Sequence, residues 1–185
     1  PSTTYQYQVR ARDAAGNVSD PSNTAEATTP AAPTSGTFTF AAAADSYVDA
    51  SQPSRNYGTS SVLRADASPV LTSYLKFDVQ AGVPAIRAML RVYASASHSS
   101  GFSVRSVADN SWVETTITAT NAPAVGAVVA TSGPLTAGTW VEIDVTSLIT
   151  GTGEVTVALT TSSGTSLKLD SRQGANAPQL IIESN

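Results

Sequence analysis

The feature that most constrains this chain is the run Ala85 to Ala94, where side chains of opposite character alternate without a break. Ile86, Ala88, Leu90, Val92 and Ala94 fall on one side; Arg87, Met89, Arg91 and Tyr93 fall on the other. Ala, Leu, Met and Arg are good helix formers, but period two is the mark of a half-buried strand and decides the assignment. Residues 73–79 repeat the pattern, with Leu75, Phe77 and Val79 inward and Tyr74, Lys76 and Asp78 outward. Shorter candidate strands follow at 61–65, 101–108, 140–145, 155–161, 166–170 and 179–183, and one helical turn is expected within 144–151. Many short strands with Gly/Pro turns and almost no helix predict an all-β fold, a two-sheet antiparallel β-sandwich of jelly-roll type.

The first residues read differently. Residues 4–12 alternate, with Tyr5, Tyr7, Val9 and Ala11 against Gln6, Gln8, Arg10 and Arg12, and a second weak strand is expected at 24–29 after a turn at 13–17. Two strands cannot bury a core, so this opening is expected to be the tail of something larger. Tyr5-x-Tyr7-x-Val9-x-Ala11-x-Asp13-x-x-Gly16-Asn17-x-Ser19 resembles the last two strands and connecting turn of a fibronectin type III domain. The expected organisation is 1–29 for these strands, a Pro/Ala/Ser linker at 30–37, and the main domain at 38–185.

Composition removes several chemistries. With no cysteine there is no thiolate catalysis, zinc ribbon or disulfide framework, and one histidine excludes a multi-histidine metal centre. A pI near 4.8 predicts no nucleic-acid partner. No apolar run is long enough for a membrane span, so no membrane insertion is expected, and no signal-peptide pattern opens the sequence.

A second resemblance covers nearly all of 38–185. It is carried by Ala44-Asp45-Ser46-Tyr47-Val48, Asn56-Tyr57-Gly58-Thr59, Leu63-Arg64, Tyr74-Leu75-Lys76-Phe77-Asp78, Ala88-x-Leu90-Arg91-Val92-Tyr93, Trp112-x-Glu114-x-x-Ile117-Thr118, Ala122-Pro123, Trp140-Val-Glu-Ile-Asp-Val-Thr146, Ser171-Arg172 and Pro178-Gln179-Leu180, in that order. Together these resemble the DNRLRE, or disaggregatase-related, β-sandwich domain. Its members sit in secreted multi-domain bacterial and archaeal proteins, often beside fibronectin type III modules, and one branch is a carbohydrate-binding module for alginate. The resemblance implies a secreted, non-catalytic module that binds a polysaccharide, acidic or neutral. A rival expectation is a structural repeat of an extracellular fibre or surface layer, in which copies of the chain pair through the strands at 4–12 and 24–29.

Sugar sites need platforms for C–H faces and planar groups for hydroxyls and carboxylates. Tyr57 in a loop is a candidate platform, with Arg55 beside it. Arg64, Lys76, Arg87 and Arg91 occupy outward strand positions and form either a basic stripe for uronates or the solubilising charge of an outer face. Trp112 and Trp140 are candidate platforms read mainly as structural anchors. Arg172 is read as structural too, in a buried ion pair with Asp45 or Asp170. Loop-end carboxylates Asp45, Asp49, Asp66, Asp109 and Asp170 are candidates for a structural calcium ion. His98 is expected at the surface. Glu142 and Asp144 share a strand face as a glycosidase pair would, although solvated acids explain them more simply and no catalysis is expected.

Overall fold

The computed structural model describes residues 3–29, 35–80 and 85–184. The chain divides into two compact units, Pro1–Pro33 and Thr34–Asn185. In the first, β1 (Thr4–Tyr7) pairs antiparallel with β2 (Ala25–Thr28), setting Tyr5 opposite Ala27 and Tyr7 opposite Ala25. The strand expected over 4–12 stops early because serine hydroxyls intercept its backbone: Ser22 Oγ takes the Val9 N–H and Ser19 Oγ the Ala11 N–H. The turn holds Asn17 against the Asp13 carboxylate, with Gly16 at φ +94°. Tyr5, Tyr7 and Val9 stay exposed.

The second unit is a two-layer antiparallel sandwich. One layer is built from β7 (Ala85–Ala94), with β10 (Thr139–Asp144) on one edge. On its other edge lie β13 (Gln179–Ser184), followed by β3 (Gly36–Ala41), and β12 (Leu167–Asp170), followed by β5 (Val62–Ala67). The other layer runs β4 (Ala44–Asp49), β6 (Val70–Val79), β11 (Gly153–Thr160), β8 (Ser103–Val107) and β9 (Val128–Thr131). The turn from β5 to β6 joins the two. The expected linker at 30–37 lies mostly outside the described residues; its last two, Gly36 and Thr37, belong to β3.

Between the layers Leu63, Leu75, Phe77, Leu90, Leu159, Leu169, Leu180 and Ile182 are almost wholly buried. Each such side chain contributes about 1.5–3 kcal/mol of burial, and the alternation of the strands delivers them all to the same side. Ile86, expected inward, is exposed: it lies near the start of β7, where the pairing with β13 slips register. The expected helical turn is a single 3-10 turn, Thr146–Leu148, entered where the Asp144 carboxylate accepts the Thr146 N–H.

A smaller core lies on the outside of the second layer. The segment 108–127 folds back over the sheet, and Trp112 and Ile117 pack on Val48, Tyr74, Val107 and Ala158. Tyr74 and Lys76 do point away from the main core, as alternation requires, yet both are buried under this segment.

Candidate functional site

Charge pairing shows which basic residues the fold has used. Every glutamate of the larger unit is ion-paired: Glu154 with Lys76, Glu183 with Arg87, Glu142 with Arg91 and Glu114 with Arg172. Its aspartates accept hydrogen bonds from other donors: Asp49 from Ser51, Asp66 from Ser68, Asp78 from Gln80, Asp109 from Ser111 and Asp144 from Thr146, while Asp45 accepts from Arg172 N–H and Asp170 from Ser95 and Asn176. Among the described residues of this unit Arg55, Arg64, Arg105 and Lys168 are left without an ion pair.

Arg105 lines a concavity. On the exposed part of the second layer, beside the covering segment, a groove of about 390 Å³ is lined by Thr72, Ser103, Arg105, Val125 and Thr160–Ser162. It shares Ser103, Thr161 and Ser162 with an adjoining space of about 300 Å³ that runs on to Phe102 and Thr131. The register explains the floor: Thr160 lies opposite Ser103 on β8, and the Leu159–Ser73 pairing brings Thr72 of β6 beside it on the other edge, so one hydroxyl from each of three strands faces the same way. Arg105 Nε donates to Thr160 Oγ1 at 3.1 Å and Nη1 to the Gly126 carbonyl at 3.0 Å. The guanidinium is thus held in place by neutral groups, with its charge uncompensated. At the far end Gly101 (φ +64°) passes so close to the Gly133 carbonyl that a Cβ would overlap it, and Thr161 Oγ1 donates to the Gly101 carbonyl at 2.9 Å.

The residues singled out from sequence are dispersed. Arg55 and Tyr57 do come together: the guanidinium sits 4.9 Å from the Tyr57 ring centre, and Tyr57 stacks on Tyr47 at 4.2 Å. Arg87 and Arg91 share the outer face of β7, where Arg91 lies over the half-buried Trp140 at 4.3 Å and Tyr93 meets that indole edge-on. Arg64 is on the same layer but on β5, opposite Lys168. Lys76 leaves the proposed stripe altogether. Its ammonium is buried, donating to the carbonyls of Asn110 and Trp112 and pairing with Glu154. Alternation assigned its face correctly, but the covering segment was not foreseen. Trp112 is buried in the same place and donates to Thr156 Oγ1 at 3.0 Å.

Two further expectations are corrected. Arg172 pairs with Glu114 at 2.8 Å rather than with Asp45 or Asp170; Asp45 instead accepts its backbone N–H at 2.7 Å. His98 is buried, with Nε2 against the Thr165 carbonyl at 2.9 Å and its backbone bridged to Leu135. As for the calcium candidates Asp45, Asp49, Asp66 and Asp170, among the described residues no group of three or more His, Asp or Glu side chains is placed to hold a metal ion. Glu142 and Asp144, considered as an acid pair, are engaged by Arg91 and Thr146.

Burial pushes the Asp45 carboxyl up to about 7, helped by the nearby Glu114 charge and opposed by the Arg172 N–H and guanidinium. The carboxyls of Asp49, Asp109 and Asp144 are held below the usual range, chiefly by the side-chain hydroxyls of Ser51, Ser111 and Thr146 respectively.

The groove thus sets Ser and Thr hydroxyls around a guanidinium held by neutral groups. The family model described as carbohydrate-binding module family 96 matches residues 36–184. The chain belongs to this family. No curated protein matches it. In this carbohydrate-binding module hydroxyls and an arginine line the groove, and Tyr57 and Trp140 each stack with an arginine elsewhere. An arginine lies over one face of each ring, and Tyr57 also stacks on Tyr47. Sequence reasoning passed over Arg105 and its hydroxyls, since a Ser/Thr-rich chain gives no local sign of which hydroxyls will line one groove. Among the described residues no helix is long and apolar enough to cross a membrane.

Proposed function

We propose that this chain is a non-catalytic accessory module of a secreted multi-domain protein, and that the Arg105 groove holds an acidic polysaccharide such as alginate. The observation that carries this reading is Arg105 itself, fixed by Thr160 and Gly126 and without an ion pair among the described residues. A guanidinium oriented in advance loses less freedom on binding and matches a carboxylate fork to fork. The surrounding Ser and Thr hydroxyls suit sugar hydroxyls, and Val125 gives an apolar wall.

Affinity electrophoresis through alginate, pectin, xylan and cellulose tests it. Retardation is expected in the uronate polymers, weakened about tenfold or more by Arg105→Ala, in line with the loss of a charged hydrogen bond. Mobility unchanged in every polymer, or an Arg105→Ala chain retarded as strongly as wild type, rules the reading out. Reducing-sugar release is expected to stay at background.

A second reading is favoured by β1–β2, whose Tyr5, Tyr7 and Val9 are exposed on a two-stranded sheet. In it the chain is a repeat unit of an extracellular fibre, joined to copies of itself through that segment. Sedimentation over a concentration series separates the two, the fibre reading requiring polymer growth that Tyr5→Ser and Tyr7→Ser abolish.

A further inference from the structure

The Arg105 groove carries its charge at one end only. Ser103 on β8 lies opposite Thr160 on β11 and opposite Thr131 on β9, and the Leu159–Ser73 pairing sets Thr72 of β6 beyond Thr160. One row of hydroxyls therefore crosses four strands. At the usual strand separation it is about 14 Å long, more than one sugar ring. Thr72 and Thr160 line the space that holds Arg105, Thr131 lines the adjoining one, and Ser103 lines both. Arg105 Nε donates to Thr160 Oγ1, which fixes the guanidinium at the β11 side of the row. Among the described residues, no second cation and no acid lines either space. The carbonyls at the Thr131 end are already engaged, Gly133 by Ser132 Oγ and Gly101 by Thr161 Oγ1.

We propose that the groove selects a mixed glycan, in which a uronate on Arg105 is followed toward Thr131 by an uncharged sugar, over an unbroken run of uronates. The inference rests on the reading of the groove given above. One guanidinium compensates one carboxylate. A second carboxylate along the row meets only hydroxyls, on a chain whose formal net charge is −4, so it loses water without gaining a cation. An uncharged sugar at the same place exchanges hydrogen bonds with Ser103 and Thr131 and carries no such cost. A uronate homopolymer still engages Arg105 through one sugar, so alginate is held, but less tightly than a chain whose charges are spaced apart.

Titration calorimetry of the full chain at low salt, where exposed charges are least screened, tests this with three tetrasaccharides on one glucan backbone. They are cellotetraose, its alternating glucose–glucuronate form and its fully oxidised glucuronate form. The alternating form is expected to bind about threefold or more tighter than the fully oxidised one, the order of an exposed charge contact, and tighter than cellotetraose. Thr131→Arg, which sets a cation at the neutral end, is expected to bring the fully oxidised form level with the alternating one. Thr39→Arg adds the same charge between Phe38 and Phe40, which pack on the main core from the first layer, and is expected to leave the ratio unchanged. Fully oxidised ligand bound as tightly as the alternating form by wild type, or a ratio that Thr131→Arg moves no more than Thr39→Arg does, overturns the preference and leaves the groove standing. So does failure to bind any of the three by a chain that alginate gel retards. Cellotetraose bound as tightly as the alternating form, binding that Arg105→Ala leaves unchanged, or no binding to tetrasaccharide or gel overturns the groove reading and this inference with it.

Discussion

Asp45 enters β4 with Oδ2 on the Arg172 N–H and Oδ1 buried without a partner, while its own N–H donates to Glu114 Oε1 at 3.0 Å. Burial and the Glu114 charge lift its pKa to about 7, so the folded chain keeps a proton that the unfolded chain releases from about pH 4 upward. Because the native state binds more protons across that window, stability falls as pH rises through it and levels off above about 7. The span is on the order of a few kcal/mol. Aspartates with lowered pKa, Asp49, Asp109 and Asp144, act in the other sense, but only in more acid solution, near and below the ordinary carboxylate range. Urea unfolding from about pH 5 to about pH 8 is therefore expected to show a declining midpoint for wild type and a nearly level one for Asp45→Asn. A wild-type midpoint that climbs over this range contradicts the account.

At the scale of elements, the segment 108–127 decides which part of the second layer is core and which part is groove. It is pinned from several sides: Asn56 Nδ2 donates to the Glu114 and Ile117 carbonyls, Tyr74 OH to the Pro123 carbonyl, and Gln173 Nε2 to Glu114. Gly58 lies so close to the Glu114 carbonyl that a Cβ there would collide with backbone. Lys76 holds the underside, and Lys76→Met is expected to cost about 1–3 kcal/mol in unfolding free energy, because two buried carbonyls lose their donor. Alginate retardation of the folded variant should match wild type; loss of retardation at unchanged stability would return Lys76 to the ligand-binding set. Trp112→Ala, which opens a cavity and orphans Thr156, is expected to cost about 3–5 kcal/mol by the same measurement. The strands of the sandwich were legible because alternation such as that of β6 and β7 is local. β3 and β4 were not: the first residues of β3 read as the end of a Pro/Ala/Ser linker, and in β4 Asp45, Ser46 and Asp49 put polar side chains into buried positions; nor was β9, a short edge strand with no alternation to read. The groove escaped for a related reason: Arg105, Thr160 and Thr72 meet only through the pairing of β8, β11 and β6, which no spacing in the sequence encodes. Arg55 and Tyr57, two residues apart in one loop, were within reach of sequence reasoning.

At the scale of the whole molecule, stability and binding are expected to reside in the larger unit alone. The members of both hydrophobic cores lie between Phe38 and Ile182, so no residue of 3–29 helps fill them. The smaller unit has two short strands, cross-strand polar pairs such as Gln6 with Glu26, and an exposed tyrosine pair; two strands without a buried face are marginal in water. A chain starting at residue 35 is therefore expected to unfold in one cooperative step at the midpoint of the full chain, and to be retarded by alginate to the same degree. Limited proteolysis of the full chain should converge on a fragment with the same behaviour, because backbone outside a packed core opens readily. A shortened chain that unfolds at markedly lower denaturant would mean that β1–β2 supports the sandwich. One that keeps its stability but loses retardation would place part of the glycan contact on the Tyr5–Tyr7 face instead of the groove.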